Sequence, residues 1–135
     1  MAEKSLDVEI VTPKEKVFKG EAESVSVPGL LSPFQILYNH APIVSALEIG
    51  IVKIVDINNT TINFATTTGF VEVKDNKVSI LVESAIGAED IDINILNASI
   101  ENLHVKIEGL ENKSEKEELK ILLKEAENQL KIAEK

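Results

Sequence analysis

The chain has no cysteine, no tryptophan and no arginine. Without cysteine there is no disulfide, no thiolate metal site and no thiol nucleophile. Without arginine there is no planar fork to grip phosphate or carboxylate through two parallel bonds, and all 14 basic residues are lysine. Aromatics are 4% of 135 residues, so a core has to be assembled from Ile, Val and Leu, which a hydrophobic fraction of 44% allows. Cations are outnumbered: the formal net charge is −9, which argues against nucleic acid as a partner, because phosphate binding needs clustered cations. No apolar run approaches the length of a membrane span. No signal or transit peptide is expected, since Met1 to Ser5 leads straight into a strand pattern. The length suits one domain, or one domain with an appendage. Abundant Ile, Asn and Lys match the usage of an AT-rich bacterial genome.

What is present begins with alternation. Leu6, Val8 and Ile10 alternate with Asp7 and Glu9, predicting a half-buried strand that Pro13 ends. Lys16 to Lys19 predicts a short second strand carrying Val17 and Phe18, and Ser24 to Val27 a third. Gly50 to Ile57 and Thr61 to Thr66 form a hairpin around Asn58 and Asn59. Gly69-Phe70-Val71-Glu72-Val73 turns at Asp75 and Asn76 into Val78 to Glu83. Short strands with close turn signals predict an antiparallel β-sandwich or barrel.

Near Ala85 the period changes. Ile93, Leu96, Ile100, Leu103, Ile107 and Leu110 recur at steps of three and four, one stripe of a helix. Asp90 and Asp92 stand at its start, where the helix dipole favours anions. Gly109 to Lys113 reads as a turn, and Ser114 with Glu117 as a capping box. Leu119, Leu122, Leu123, Ala126, Leu130 and Ala133 make a second stripe. Two one-sided helices on a short turn pair as an antiparallel hairpin. The fold class is therefore α+β, with a β domain over residues 1–86 and a helical hairpin domain over 87–135.

Between the β segments lies Val25 to Val44, with three of the four prolines and Phe34, Ile36, Leu37 and Tyr38 set between turn formers. Apolar side chains presented from an irregular backbone suggest either a loop folded over the core or a contact surface. Chemistry is poorly supplied. His104 reads as a surface residue of the first helix, and His40 as a structural or contact residue, since nothing selects a nucleophile or acid to work with it. The carboxylates are too scattered to hold a metal, and no glycine-rich phosphate loop exists. An enzyme acting alone is not expected. A free-standing adaptor that recognises a peptide or sugar through the central stretch, and dimerises through its hairpin, stays open on these observations.

The central stretch resembles the ε-subunit family of F-type ATP synthases. Phe34, Ile36, Leu37, His40, Ala41, Pro42, Leu47 and Gly50 fit the family's pattern. Ser32, Gln35, Tyr38 and Asn39 stand where the family usually has Gly, Gly, Pro and Gly. Glycine's access to positive φ is lost there, and Asn39 tolerates that region best of the four. Gly69 to Val73, Asn76 to Leu81 and Ala85-Ile86 also look like family motifs, and the order of a β-sandwich followed by two helices is the family's.

The resemblance implies a non-catalytic rotor subunit without a cofactor, held at the cytoplasmic face of a bacterial inner membrane only through its partners. Those partners are the γ subunit and the c-ring, with the catalytic β subunit and the α subunit reached when the hairpin extends. It implies that Phe34, Ile36, Leu37, His40 and Pro42 contact the rotor. On the second helix, Lys116, Lys120, Lys124, Lys131 and Lys135 fall within roughly a third of the circumference. That stripe is either a solvated face or the regulatory surface that meets an acidic segment of the catalytic β subunit. Some family members hold ATP on this hairpin. Here Ile91 and Asp92 match the start of that motif, but Ile95 and Leu96 replace its Arg and Ala, so no nucleotide binding is expected.

Overall fold

The computed structural model describes residues 4–133. Nine strands precede two helices: β1 Leu6–Val11, β2 Lys16–Val27, β3 Phe34–Leu37, β4 Ile43–Leu47, β5 Gly50–Asp56, β6 Thr61–Thr66, β7 Gly69–Lys74, β8 Lys77–Val82 and β9 Ala85–Gly87. A short 3-10 turn, Ala88–Asp90, leads to α1 Ile93–Gly109 and α2 Lys113–Ala133. The strands form one continuous sheet in the order β4-β7-β8-β1-β2-β5-β6-β9, with β3 also on β2, folded over as a sandwich.

Alternation sets the faces. Leu6, Val8 and Ile10 of β1 meet Val71 and Val73 of β7, Val78 and Ile80 of β8 and Val25, Val52 and Ile54 from the other layer in one core cluster. Phe64 is the only aromatic among the buried members of that cluster, and it meets Phe18 edge-on at a ring separation of 5.7 Å. The expected antiparallel sandwich is found, with one pairing of the other sense: β1 and β8 run parallel, Asp7 beside Lys77 and Val11 beside Leu81.

Three local expectations are corrected. The second and third predicted strands are one strand, β2, of 12 residues. Gly20 does not break it, because Gly20 pairs with Val8 across the ladder and the ring of Phe18 lies over its face. A register shift between Ala22 and Ser24 bends β2, so its first half pairs with β1 and its second half lies between β3 and β5. Phe34–Leu37 is a strand rather than irregular backbone. Finally, α2 is capped by Asn112, not Ser114: the Asn112 side-chain oxygen accepts from the Glu115 amide at 3.1 Å and its carbonyl from the Lys116 amide at 3.0 Å.

The turns explain how the chain manages with so few glycines. Every residue described at positive φ is an Asn or Asp: Asn39, Asn59, Asp75 and Asn76. Asp75 and Asn76 form a two-residue turn of the kind that suits the twist of a hairpin. At position 50 it is space that demands glycine. A Cβ on Gly50 would lie 2.5 Å from Cβ of Pro28.

Candidate docking surfaces

The central stretch divides into two loops at opposite ends of β4. The first, residues 28–33, closes the hairpin of β2 and β3 and is tied to the end of β4. The Leu30 amide donates to the Ala46 carbonyl at 2.9 Å, and the Glu48 amide to the Pro28 carbonyl at 3.0 Å. Its tip is apolar and open: Leu31 is 100% exposed and Leu30 59%. The second loop, residues 38–42, leads into the start of β4. It is fastened to the β7–β8 turn by the Asn39 amide, which donates to Oδ1 of Asn76 at 2.6 Å. The two asparagines also bond side chain to side chain at 3.3 Å. Asn39, with φ of 65°, takes the conformation for which glycine would otherwise be used.

The expected contact residues are therefore separated. Ile36 is fully buried between the layers, which removes it from any surface contact. Phe34 is half-buried against the core cluster. Leu37, on the outward side of the same strand, is exposed, as is Pro42. Nδ1 of His40 lies 2.7 Å from the Ala41 carbonyl, and since a carbonyl can only accept, that nitrogen carries the proton. The His40 ring lies 6.4 Å from the ring of Phe34. The imidazole thus braces its own loop.

A third apolar surface lies on the outer face of the sheet. Strand register places Ala46, Phe70, Leu81 and Val11 in one row across β4, β7, β8 and β1. Phe70 is 56% and Leu81 48% exposed, and a groove beside them is lined by Pro13, Thr68 and Glu83. Since the Leu30 amide is bonded to Ala46, this row continues towards the leucine loop. Phe70 and Leu81 are apolar residues at outward positions of β7 and β8, and the local pattern of either strand does not mark them as a shared surface.

The hairpin is attached differently. Leu96 of α1 and Ala126 and Ile132 of α2 are its buried apolar residues. Ile100, Leu103 and Ile107 are half-buried between the helices. The face of α2 that meets β5 and β6 carries Asn128, which is buried and donates to the Gly50 carbonyl at 2.7 Å. Asn128 and Ile132 lie off the apolar stripe predicted for α2. Most of that stripe faces α1, but Leu122 is turned to the surface at 49% exposure, and the docking face is partly polar and so carries no hydrophobic signal. Glu125 is half-buried above Ala65, Thr66, Thr67 and Ser84, and desolvation raises its carboxyl above the ordinary value. Lys120, Lys124 and Lys131 are exposed and Lys116 half-exposed; Lys135 lies outside the described residues. Nζ of Lys120 reaches Glu117 at 3.7 Å. Ile91 precedes α1, and Asp92 is engaged as its cap, accepting from the Asn94 and Ile95 amides at 3.0 and 3.2 Å.

Among the described residues no group of three or more His, Asp or Glu could hold a metal ion, and no helix is long and apolar enough to cross a membrane. A rigid sandwich with exposed apolar surfaces and a lightly attached hairpin has the build of a docking subunit. Residues 5–88 match the family described as ATP synthase, Delta/Epsilon chain, beta-sandwich domain. The chain is 34% identical over 126 residues to the chloroplastic ATP synthase epsilon chain of Emiliania huxleyi, covering 93% of this chain and 96% of that one. It is 40% identical over 111 residues to the ATP synthase epsilon chain of Salinibacter ruber, covering 76% and 74%. The fold also matches a chain in the cryo-EM structure of the Euglena gracilis mitochondrial ATP synthase OSCP/F1/c-ring. The TM-score is 0.83 at 18% identity, with 100% of this chain and 84% of that one covered. The chain belongs to the ATP synthase epsilon chain family, whose members are non-catalytic subunits of the ATP synthase complex.

Proposed function

We propose that this subunit seats its β-sandwich on the γ subunit and the c-ring, at the cytoplasmic face of a bacterial inner membrane. There it couples ion flux to rotation, and its hairpin restrains ATP hydrolysis by extending towards the catalytic β and α subunits. The observation that carries this reading is the outward apolar row of Phe70 and Leu81, which runs towards the leucine loop at residues 28–33. An open face of this kind on a sandwich whose core is already complete calls for a partner. Leu30 and Leu31 extend the contact beyond the sheet face, and Leu37 and Pro42 lie towards the other end of β4.

The hairpin suits a moving part because its attachment to the strands is narrow, while Ile95, Val105, Ile121 and Leu122 remain exposed for a second set of contacts. The exposed lysines Lys120, Lys124 and Lys131, together with Lys116, supply the charge that an acidic segment of the catalytic β subunit would meet. The hairpin is not expected to hold a nucleotide, an expectation supported by Asp92 serving as a helix cap and by Ile95 standing where an arginine would be needed.

The test is co-purification from the native membrane with Phe70→Asp in place of the wild-type chain. A charge on this row should remove the chain from the complex while the free protein stays folded, since Phe70 lies outside the core. Normal retention of the variant would show that this face is not the docking surface. Co-purification of the wild type without γ would favour a free-standing adaptor.

A further inference from the structure

Among the described residues, one hydrogen bond crosses from the helices to the strands: the Asn128 side-chain amide to the Gly50 carbonyl at 2.7 Å. No ion pair makes that crossing among them. Asn128 is 7% exposed, and asparagine is a poor residue for a helix interior. Its presence on the docking face therefore calls for a reason other than helix formation. A buried carboxamide is tolerated only when its polar atoms are paired, and the Gly50 carbonyl supplies the partner. That carbonyl is well fixed. Gly50 opens β5 opposite Thr66, whose hydroxyl also reaches the same oxygen at 3.4 Å, and Pro28 packs against the glycine from the other side.

We infer that Asn128 is a latch, and that its bond to Gly50 sets the balance between a hairpin docked on the sandwich and one released from it. The apolar part of the docked contact is small, because Leu96, Ala126 and Ile132 are the buried apolar residues of both helices. A single well-placed hydrogen bond then carries a large share of the difference between the two states. The bond also fixes register. The amide meets the carbonyl only when α2 lies in one position along the edge formed by β5 and β6, whereas apolar contacts alone would permit sliding. This deepens the proposal that the hairpin is the moving part, because it names a contact that must break for the hairpin to leave.

The experiment is amide hydrogen exchange on the full-length free chain, comparing wild type with Asn128→Ala and Asn128→Asp. Alanine is the better helix former, so the first variant strengthens the helix itself while removing the latch. Faster exchange in the helices cannot then be blamed on propensity. About a tenfold acceleration is expected over residues 93–133 in Asn128→Ala, and more in Asn128→Asp, where a carboxylate would face a carbonyl. The strands should exchange as in the wild type. Helix exchange within twofold of wild type in both variants would overturn the latch. So would equal acceleration in strands and helices, which would make Asn128 a support of the whole fold. The measurement needs no assembled complex, so failure of the latch is distinguishable from failure of the inhibitory reading, which is measured on ATP hydrolysis.

Discussion

The sandwich and the hairpin bury their apolar residues in different ways. In the sandwich, Leu6, Ile10, Ile36, Ile54 and Ile80 are all at 0% exposure, and strand ladders pin each to its register. In the hairpin, the apolar stripes of the two helices are mostly half-buried against each other. Ile95 and Val105 stay 67% and 63% exposed, and one hydrogen bond reaches the strands. The first region cannot yield locally without opening a continuous core. The second can leave with little lost. Such a division would suit the proposed arrangement, a fixed seat with a moving hairpin, because mobile elements come from the low-stability end of a structure.

Breaking this contrast gives the largest expected effect. Ile36→Ala should destabilise the chain by about 2–5 kcal/mol, the range for emptying a well-packed aliphatic site. Ile36→Asp should leave the sandwich unfolded. Leu103→Ala, on the half-buried hairpin stripe, should cost about 1–2 kcal/mol and act on the helices alone. Urea unfolding followed by strand and helix signals separately checks both. Equal losses in the two regions would mean that sandwich and hairpin form one cooperative unit.

A smaller effect is expected where the sandwich meets partners rather than itself. Leu31→Asp changes a fully exposed loop tip, so the free chain should keep its stability within about 0.5 kcal/mol. Assembly with the rest of the complex should weaken by tenfold or more if the leucine fills a pocket on a partner. A binding titration against the isolated γ subunit and c-ring separates loss at this loop from loss at Phe70.

The sequence disclosed the two regions unequally. Strand alternation in Leu6–Ile10, the Asn58-Asn59 turn and the helical period from Ile93 all survive in the structure because each is a local pattern. Phe34–Leu37 also alternates, but over four residues hemmed in by Pro33 and the turn at Asn39, too short to be told from a loop. The burial of Ile36 follows from pairing with Val25, a long-range fact that composition does not carry. Ser114 was a sound capping candidate by pattern, yet the turn places Asn112 one step earlier than α2 begins. The candidate site was less legible than the fold. Phe70 and Leu81 declare themselves only once the register sets them side by side on an outer face, and Asn128 only once α2 has a neighbour.

The lysines of α2 sharpen the same contrast from the side of regulation. Lys120 and Lys124 are exposed, so Lys120→Glu with Lys124→Glu should change the stability of the free chain by no more than about 0.5 kcal/mol. In the assembled complex the double variant should raise ATP hydrolysis several-fold, since a matched charge pair would become a repulsion. Hydrolysis unchanged by the double variant, and also by removal of residues 114–135, would leave the stripe as a solvated face.

The smallest expected effect distinguishes the regions by the sign of their response to acid. In the sandwich, the hydrogen bond from the Lys16 ammonium holds the Glu9 carboxyl below its ordinary value, with Nζ 3.1 Å from the carboxylate. A lowered value contributes stability above the unfolded-state value, and that contribution is lost as pH falls through the folded-state value. At the hairpin, desolvation holds Glu125 above its ordinary value while the helix is docked. The residues beneath it, Ala65, Thr66, Thr67 and Ser84, carry no charge, and Glu89 and Asp90 of the adjoining 3-10 turn are exposed. A raised value favours docking fully below the released-state value, and the advantage is lost as pH rises through the docked value. Acidification through the carboxylate range should therefore loosen the sandwich slightly while tightening the hairpin onto it. Helix exchange protection measured relative to the strands should rise as pH falls, after correction for intrinsic exchange rates. Glu125→Gln should dock more tightly than wild type at neutral pH and remove most of that dependence. A variant that keeps the full wild-type slope would assign the titration to another group.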